Sequence, residues 1–279
     1  MEKDKREGRG IMYYKNREKY KGEFKDDKFE GNGIFYYSTG EKYEGEWKND
    51  KKEGKGIIEL NNGKYIGEFK NGKKEGNGIA YYKSGQKYEG EWKKGKRNGN
   101  GIMIYNNGSK YEGKYKKGKK EGKGIMIFKN GNKYNGDWKD DTFNGKGILL
   151  YSNGEKYEGD FINGKFEGKG IFIYSNGDKY DGMWKEGERN GNGVYYFVNG
   201  SKYDGEFNNG KFDGKGIFYY SNGDKYDGYW VNDKKNGKGK YYFAKGNVFN
   251  GDFKNGEIIS NEEKIENENK NNIEEIKQN

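Results

Sequence analysis

The feature that most constrains this chain is a repeat of 23 residues that runs through nearly all of it. Tyrosines recur from Tyr20 through Tyr43 and Tyr65 to Tyr226 in steps of 23 residues, with one step of 22, and Phe249 closes the series. Each of these aromatics is followed by glycine two residues later and by a second aromatic after two more. A Gly-x-Gly pair and a short apolar run complete the copy. Such a period is the signature of a repeat protein, in which each copy packs against its neighbours.

The turn within each copy predicts a β-hairpin. In one copy, apolar runs flank the pair Asn153-Gly154, and Asn-Gly is a strong signal for a two-residue type I′ turn. That turn would pair Leu150 with Tyr157 and place both on one face with Phe161. Glycines on this face would give the rings bare backbone to lie on. We therefore predict an all-β fold, a single-layer, elongated, twisted antiparallel sheet that forms a β-hairpin repeat solenoid.

The repeat divides the chain into three parts. Residues 1–7 form a polar N-terminal lead, residues 8–256 form an array of about eleven hairpin copies, and residues 257–279 form a polar tail. Residues 260–263 have the pattern of a helix capping box, and isoleucines follow at helical spacing. A short C-terminal helix that caps the array and a disordered tail both remain open.

The composition argues against an enzyme. The chain has no Cys and no His, which removes disulfides, thiolate metal sites and the commonest general base. Catalysis needs a unique constellation of side chains, whereas nearly every polar residue here is one of many copies. The Gly-x-Gly pair lacks the third glycine of a nucleotide-binding loop, and no EF-hand spacing occurs. We predict no catalytic residues, no metal site and no cofactor.

Charge is distributed unevenly over the loops that join the second aromatic to Gly-x-Gly. The chain has a net charge of +10, and loops 70–75, 93–98 and 116–121 are strongly basic, whereas later loops are nearly neutral. We expect a basic rim that binds an acidic phospholipid surface or an acidic protein; a rim that only keeps the protein soluble is the alternative. Interleaved acidic residues argue against nucleic acid. The candidate rim residues are Lys70, Lys73, Lys74, Lys93, Lys94, Lys96, Arg97, Lys116, Lys117, Lys119 and Lys120.

The aromatic stripe is a second candidate site. A sheet without a covering layer leaves rings partly exposed, and contiguous exposed apolar surface usually marks a contact site. The alternative is that neighbouring copies bury the rings. The candidate residues of an aromatic binding face are Tyr88, Trp92, Tyr134, Trp138, Tyr180 and Trp184.

The pattern Tyr-x-Gly-x-Trp/Phe, followed by Gly-x-Gly on a 23-residue period, resembles the MORN repeat (membrane occupation and recognition nexus) over residues 8–256. Lys240 stands where isoleucine is usual, Asn16-Arg17 lacks the turn glycine, and Phe249 replaces tyrosine. The resemblance implies an elongated twisted antiparallel sheet. The family includes junction proteins between membranes, radial-spoke head proteins, cytoskeletal scaffolds, and modules fused to phosphoinositide kinases or methyltransferases. A choline-binding repeat would instead show consecutive Trp-Tyr-Tyr runs in a secreted chain.

Together these observations predict a non-catalytic scaffold or adaptor that binds a partner protein and docks on acidic, phosphoinositide-containing membranes. The first alternative is a structural part of a cilium or cortical cytoskeleton with no lipid role. The second is an accessory module for a separate phosphoinositide kinase. The charged start, residues 1–10, lacks the apolar segment of a signal peptide. We therefore expect a cytoplasmic protein, at a membrane, the cytoskeleton or a cilium; homo-oligomerisation remains open.

Overall fold

The computed structural model describes residues 5–259, and this part of the chain contains 23 β-strands and no helix. The chain divides into two compact units, residues 1–142 and 143–279. The strands of the first unit are β1 (Gly8–Tyr13), β2 (Lys19–Lys25), β3 (Lys28–Tyr36), β4 (Lys42–Lys48), β5 (Lys51–Leu60), β6 (Gly63–Lys70), β7 (Lys73–Tyr82), β8 (Lys87–Lys93), β9 (Lys96–Ile104), β10 (Lys110–Lys116), β11 (Lys119–Ile127) and β12 (Lys133–Lys139).

The second unit begins within the next strand. Its strands are β13 (Thr142–Leu150), β14 (Lys156–Ile162), β15 (Lys165–Ile173), β16 (Lys179–Lys185), β17 (Glu188–Tyr196), β18 (Lys202–Asn208), β19 (Lys211–Tyr219), β20 (Lys225–Val231), β21 (Lys234–Tyr242), β22 (Val248–Lys254) and β23 (Glu257–Ile259). The last of these lies at the start of the predicted polar tail. The question of a C-terminal helix concerns residues 260–279, which lie outside the described part of the chain.

Each unit is an open antiparallel meander. In the first unit every strand from β1 to β11 pairs with the strand that follows it along the chain. The strands from β13 to β23 follow the same rule in the second. The predicted all-β class, built from consecutive antiparallel hairpins, is confirmed.

The two-residue type I′ turns lie after the strands that carry the second aromatic. Between β8 and β9, Lys93 pairs with Lys96, and the two residues between them, Lys94 and Gly95, have φ values of +50° and +81°. Two positive φ angles define the type I′ turn, whose twist matches that of the flanking strands. The corresponding turns elsewhere use Asp, Asn, Glu or Lys at the first position and Gly or Asp at the second.

The other turn, at the tip of the apolar run, has three residues. In the hairpin of β13 and β14, the Gly154 N–H donates to the Tyr151 carbonyl at 3.1 Å and the Tyr151 N–H donates to the Glu155 carbonyl at 2.9 Å. Gly154 has a φ of +91°. This is a type I turn followed by a left-handed glycine, the second common way to close a hairpin.

The extra loop residue makes the predicted register wrong by one position. Leu149, and not Leu150, pairs with Tyr157, and Ile148 pairs with Glu158. Because side chains alternate between faces, Leu149 shares the ring face with Tyr157, whereas Ile148 and Leu150 lie on the opposite face.

Turns that depart from the repeat pattern still close their hairpins. Arg17, where glycine is usual, adopts a φ of +69°, and its N–H donates to the Tyr14 carbonyl at 3.1 Å. In the copy that is one residue short, Leu60 pairs with Gly63 across two residues. The deletion therefore shortens a turn and leaves the strands intact.

The core of each copy is a tyrosine that lies over two paired glycines. Tyr88 is fully buried, and its hydroxyl donates to the Glu91 carbonyl at 2.9 Å. Gly90 pairs with Gly101 below the ring, and a Cβ on Gly101 would lie 2.4 Å from the Tyr88 hydroxyl oxygen. The edge of the Trp92 ring contacts the same tyrosine, with 5.2 Å between ring centroids. The expectation that rings lie on bare glycine backbone is confirmed.

Candidate functional site

The predicted aromatic binding face is not exposed. Its tyrosines have no exposed area and its tryptophans are 5–7% exposed. In the next copy, the Tyr115 ring packs edge-on against Tyr88 at 5.2 Å, so neighbouring copies cover each other's rings. The alternative weighed from the sequence is therefore the correct one, and these side chains form the core. The residues concerned are Tyr88, Trp92, Tyr134, Trp138, Tyr180 and Trp184.

One variable position covers the tyrosine face. It lies five residues after the second aromatic of each copy, directly after the type I′ turn. Because that turn has two residues, this position pairs with the second aromatic, as Arg97 does with Trp92, and faces the same side. We call it the cap position. Its residues are Phe29, Lys52, Lys74, Arg97 and Lys120 in the first unit and Phe143, Phe166, Arg189, Phe212, Lys235 and Ile258 in the second.

Phenylalanine caps stack flat on the tyrosine of their copy. The Phe166 and Tyr157 rings are 3.7 Å apart with an interplanar angle of 12°. The edge of the Trp184 ring, from the next copy, lies 5.3 Å from Phe166. The cap thus links two copies through ring contacts. Phe29 on Tyr20 and Phe212 on Tyr203 have the same stacked geometry, at 3.7 and 3.8 Å.

Cationic caps occupy the same place and make cation–π contacts. The Lys74 Nζ lies 4.5 Å from the Tyr65 ring centroid and 4.8 Å from that of Trp92. Lys120 lies 5.2 Å from Tyr111 and 4.5 Å from Trp138. These distances are within the range in which a ring face attracts a cation. Each cation therefore bridges two copies, as a phenylalanine cap does.

Burial has an electrostatic cost at the lysine caps. Removal from water lowers the pKa of Lys52, Lys74 and Lys120, because the neutral amine loses less solvation than the ammonium. Glu41 opposes this shift at Lys52 and Asp141 opposes it at Lys120. At Lys74 the charge of Lys52 lowers the pKa further.

Lys235 is the most enclosed of these cations. Only 8% of it is exposed, and its Nζ lies 5.2, 5.5 and 5.0 Å from the rings of Tyr220, Tyr226 and Tyr241. Burial lowers its pKa to about 8, against the opposing charge of Asp224. Three tyrosine faces around one ammonium group partly replace the water that burial removes.

The predicted basic rim separates into two sets of residues. Lys74, Arg97 and Lys120 do not project from the edge; they are caps on the tyrosine face, because the type I′ turn is shorter than the loop assumed from the sequence. The others are exposed and lie in, or directly beside, type I′ turns of the first unit. We call them the turn lysines: Lys70, Lys73, Lys93, Lys94, Lys96, Lys116, Lys117 and Lys119.

Sequence analysis missed two buried carboxylates in the second unit. The Asp178 side chain accepts hydrogen bonds from the Val198 N–H at 2.8 Å, the Tyr195 hydroxyl at 2.8 Å and the Asn176 amide at 2.9 Å. Burial would raise the pKa of Asp178, but these hydrogen bonds hold it below its ordinary value. Asp224 makes the equivalent bonds two copies later, with the Asn222 amide, the Tyr241 hydroxyl and the Ala244 N–H. Both fasten the turn of one copy to the turn of the next.

Within residues 5–259 no three His, Cys, Asp or Glu side chains are grouped so that they could hold a metal ion. In the same range no helix is long and apolar enough to span a membrane.

Comparison with known proteins identifies a family. No curated protein matches the chain significantly. Among solved structures, the TCP10 domain of Danio rerio CPAP in complex with a STIL peptide is 10% identical, with a TM-score of 0.40 over 80% of this chain and 96% of that one. The SAS-4 TCP domain of Drosophila melanogaster in complex with a proline-rich motif of Ana2 is 15% identical, with a TM-score of 0.35 over 54% of this chain and 81% of that one.

The family model for the MORN repeat matches the chain eleven times in succession. The matched segments are residues 1–18, 20–42, 43–64, 65–87, 88–110, 111–133, 134–156, 157–179, 180–202, 203–225 and 226–248. They cover most of the chain, and each of the ten from 20–42 onward begins at the buried tyrosine of one copy. The chain therefore belongs to the MORN repeat family.

Proposed function

We propose that this protein is a non-catalytic scaffold that holds a partner polypeptide against its tyrosine face. The observation that carries the proposal is the cap position, which varies between cations and apolar side chains while the tyrosine, the paired glycines and the turns beneath it stay the same. A framework that accepts either cap without a change in strand pairing leaves this position free to serve recognition. Repeat proteins use such regular columns as extended binding surfaces.

The polar residues support a binding role over catalysis. Acidic residues such as Glu46 and Glu68 accept hydrogen bonds from the backbone N–H groups of Lys55 and Asn77. Glu75 does the same for the turn at Lys94. These carboxylates hold bulges and turns in place in copy after copy, and none is set apart by a unique partner.

Site-specific photo-crosslinking tests which face binds the partner. A photoreactive phenylalanine is placed at Lys74 or Phe166, both on the tyrosine face, and in matched controls at Lys55 or Lys169, which are exposed on the opposite face. We expect the two cap positions to yield the same crosslinked polypeptides in cells and the two controls to yield few. Equal yields from both faces, or crosslinks only from the controls, would contradict the proposal.

The turn lysines favour a second candidate function, docking on an acidic membrane. They lie in three consecutive turns on one edge of the first unit, and each exposed basic residue near an anionic bilayer contributes about 1 kcal/mol. Their exposure also makes the attraction sensitive to salt, with screening over about 8–10 Å.

Vesicle co-sedimentation at low and physiological salt tests this second candidate. The variant replaces Lys93, Lys94 and Lys96 with glutamate, and the matched control alters the nearly neutral loop 185–190. We expect the variant to lose binding to vesicles that contain phosphatidylserine and the control to keep it. If wild type does not bind at low salt, a structural role in a cilium or cytoskeleton without lipid contact replaces this candidate. Equal binding by all three proteins would show that the turn lysines are not the docking site.

A further inference from the structure

Four consecutive caps of the first unit are cations. They are Lys52, Lys74, Arg97 and Lys120, one per copy, and we call them the cation ladder. Consecutive members lie two strands apart, so the spacing between strands sets their separation at roughly 9.6 Å. In the second unit three of the six caps are phenylalanine, and its cationic caps, Arg189 and Lys235, are not consecutive.

The cation ladder has few carboxylates near it within residues 5–259: Glu41 acts on Lys52 and Asp141 on Lys120. None of its four side chains forms an ion pair there. Arg97 donates to the Gly118 carbonyl at 2.6 Å, and the lysines rest on rings. Four half-buried like charges in one row are unfavourable without counter-charges, because partial burial weakens the screening that water provides. The row thus offers a site for a periodic anion.

The spacing of the ladder matches that of an extended polypeptide. A strand advances about 3.3 Å per residue, and a polyproline II helix advances about 3.1 Å with three residues per turn. Every third residue of either conformation therefore recurs after roughly 9–10 Å, and in polyproline II it points the same way. Carboxylates at every third residue would meet successive cations of the ladder.

The partial burial of the cation ladder favours a single extended polypeptide over a flat membrane surface as its ligand. Lys52 and Lys120 lie alongside the rings of Tyr37 and Tyr105, at 5.2 and 5.5 Å, and all four ladder side chains are half-buried. The turn lysines, by contrast, are exposed at the edge and present their charges first to a membrane plane. A single extended segment can enter the row and pack its intervening residues against the half-buried Tyr82 and Tyr105.

We propose that the cation ladder binds an extended acidic segment of a partner protein that carries a carboxylate at every third residue. This inference rests on the proposed function, since it names the chemistry of the polypeptide that the tyrosine face holds. Lys52 and Lys74 recognise the first two carboxylates, and Arg97 and Lys120 the next two.

The protein itself supplies a variant that removes the charges and preserves the fold. Phenylalanine occupies the cap position in other copies and stacks on the same tyrosine, so all four ladder residues are replaced with phenylalanine in the full-length chain. The matched control replaces four turn lysines, Lys70, Lys93, Lys96 and Lys116, with glutamine. Circular dichroism and thermal unfolding of both variants show that the sheet is intact.

The probe is a fluorescein-labelled peptide of four Glu-Pro-Ser triplets, in which proline favours the polyproline II conformation. A peptide of the same composition with its four glutamates contiguous is the comparison. By fluorescence anisotropy at low salt, we expect the triplet peptide to bind wild type at least about fivefold more tightly than the contiguous one. The phenylalanine variant should bind it at least about tenfold more weakly than wild type, because four charge pairs are lost. The glutamine control should remain within about twofold.

Three outcomes would overturn the inference: equal affinity for the two peptides, retained binding by the phenylalanine variant, or loss of binding in the glutamine control alone. Loss of vesicle binding in the phenylalanine variant, with no peptide affinity in wild type, would assign the ladder to the membrane. The crosslinking experiment distinguishes failure of the acidic-segment inference from failure of the proposed scaffold function. Partner crosslinks at the tyrosine face without peptide binding would leave the scaffold in place and remove only the acidic segment.

Discussion

The copies built on Tyr65 and Tyr157, one in each unit, differ in what covers the tyrosine. Both tyrosines are fully buried, and both hydroxyls donate to a backbone carbonyl at 3.0 Å. The cap is Lys74 on Tyr65, at 4.5 Å, and Phe166 on Tyr157, at 3.7 Å. The comparison shows that tyrosine on glycine is what the fold requires, and that the cap is a separate choice.

The two caps do not stabilise the fold equally. A phenylalanine cap gains ring stacking and apolar burial, whereas a lysine cap gains a cation–π contact and loses solvation. A row of cations in the first unit is therefore less stable than the row of rings that the same backbone accepts. Departures from the most stable choice tend to mark functional positions, which is why the first unit is the better place to look for a binding site.

The tyrosine-on-glycine packing, which both units share, should lose the most stability on mutation. A Cβ on Gly101 in the first unit, or on Gly170 in the second, would lie 2.4 Å from the hydroxyl oxygen of the tyrosine above it. We expect Gly101→Ala and Gly170→Ala each to lower the free energy of unfolding by about 3 kcal/mol or more, because the ring cannot stay in place. Chemical denaturation followed by tryptophan fluorescence measures this loss.

A turn glycine provides the control for this first prediction. Gly118 has a φ of +94° and open space around it, and asparagine tolerates this left-handed conformation. Gly118→Asn should therefore cost only a few tenths of a kcal/mol. If one of the two alanine variants were as stable as this control, the units would not share the same core.

Exchange of caps tests the comparison directly. Phe166→Lys should destabilise the protein by about 2 kcal/mol through lost stacking and a newly buried charge. Lys74→Phe should stabilise it by about 1 kcal/mol for the opposite reason. Both are measured by denaturant unfolding, with Lys169→Gln, at an exposed site on the other face, as a variant expected to change stability by less than about 0.5 kcal/mol. A stabilising Phe166→Lys would show that the cation–π contact outweighs stacking.

The enclosed cap of the second unit gives a pH dependence. Burial lowers the pKa of Lys235 to about 8 from an ordinary value of 10.5. Between these values the unfolded chain binds more protons than the folded one, so the free energy of unfolding rises with pH. Relative to a variant without this lysine, we expect the free energy of unfolding to gain roughly 1 kcal/mol between pH 8 and 9.5, less than the limit of about 1.4 kcal/mol per pH unit, since the three tyrosines favour the ammonium.

Replacement of this lysine supplies the control. Lys235→Phe removes the titrating group and places at this position the side chain that Phe212 has one copy earlier. The buried tyrosines titrate with the opposite sign. A folded-state pKa raised to about 12, as at the adjacent Tyr226, makes the unfolded chain ionise first and lowers the free energy of unfolding of both proteins as the pH rises. The test is therefore the difference in stability between wild type and Lys235→Phe, which should increase over this range; a constant difference would assign the pH dependence to other groups.

Periodicity explains how much of this fold could be predicted from the sequence. Local signals recur in every copy, so the antiparallel hairpins and the tyrosine-on-glycine layer follow from residues near one another in the chain. The register did not follow, because Asn-Gly suits both a two-residue turn and the last two positions of a three-residue turn. The true type I′ turns include pairs such as Asp26-Asp27, with φ values of +48° and +67°, which carry no glycine to reveal them.

The candidate site was harder to predict because it depends on contacts between copies. Alternation within one copy places Trp92 and Tyr88 on the same face, but their burial depends on rings of other copies. Tyr115 of the next copy packs on Tyr88, and Tyr65 of the preceding copy packs on Trp92. The role of Arg97 was accessible in principle. When the type I′ turn is placed correctly, Arg97 pairs with Trp92. The cap residues can then be distinguished from the rim residues by sequence alone.

The smallest expected effect concerns the second aromatic ring that an arginine cap contacts in the next copy. Arg97 lies 5.0 Å from Tyr115 in the first unit, and Arg189 lies 5.5 Å from Phe207 in the second. Both second aromatics are 3% exposed. They differ in one hydroxyl, and that of Tyr115 is buried within the described residues without a hydrogen-bond partner.

Tyr115→Phe should therefore raise the free energy of unfolding by up to about 1 kcal/mol, because it removes an unsatisfied polar group and keeps the ring. The gain is measured as a higher denaturant midpoint, with an unchanged slope of the free energy of unfolding against denaturant concentration. Tyr111→Phe is the matched control, since its hydroxyl donates to the Lys114 carbonyl at 3.0 Å, and it should destabilise the protein by about 1 kcal/mol. If both variants lose stability, the hydroxyl of Tyr115 has a partner in solution, and the two arginine-capped copies are less alike than their geometry indicates.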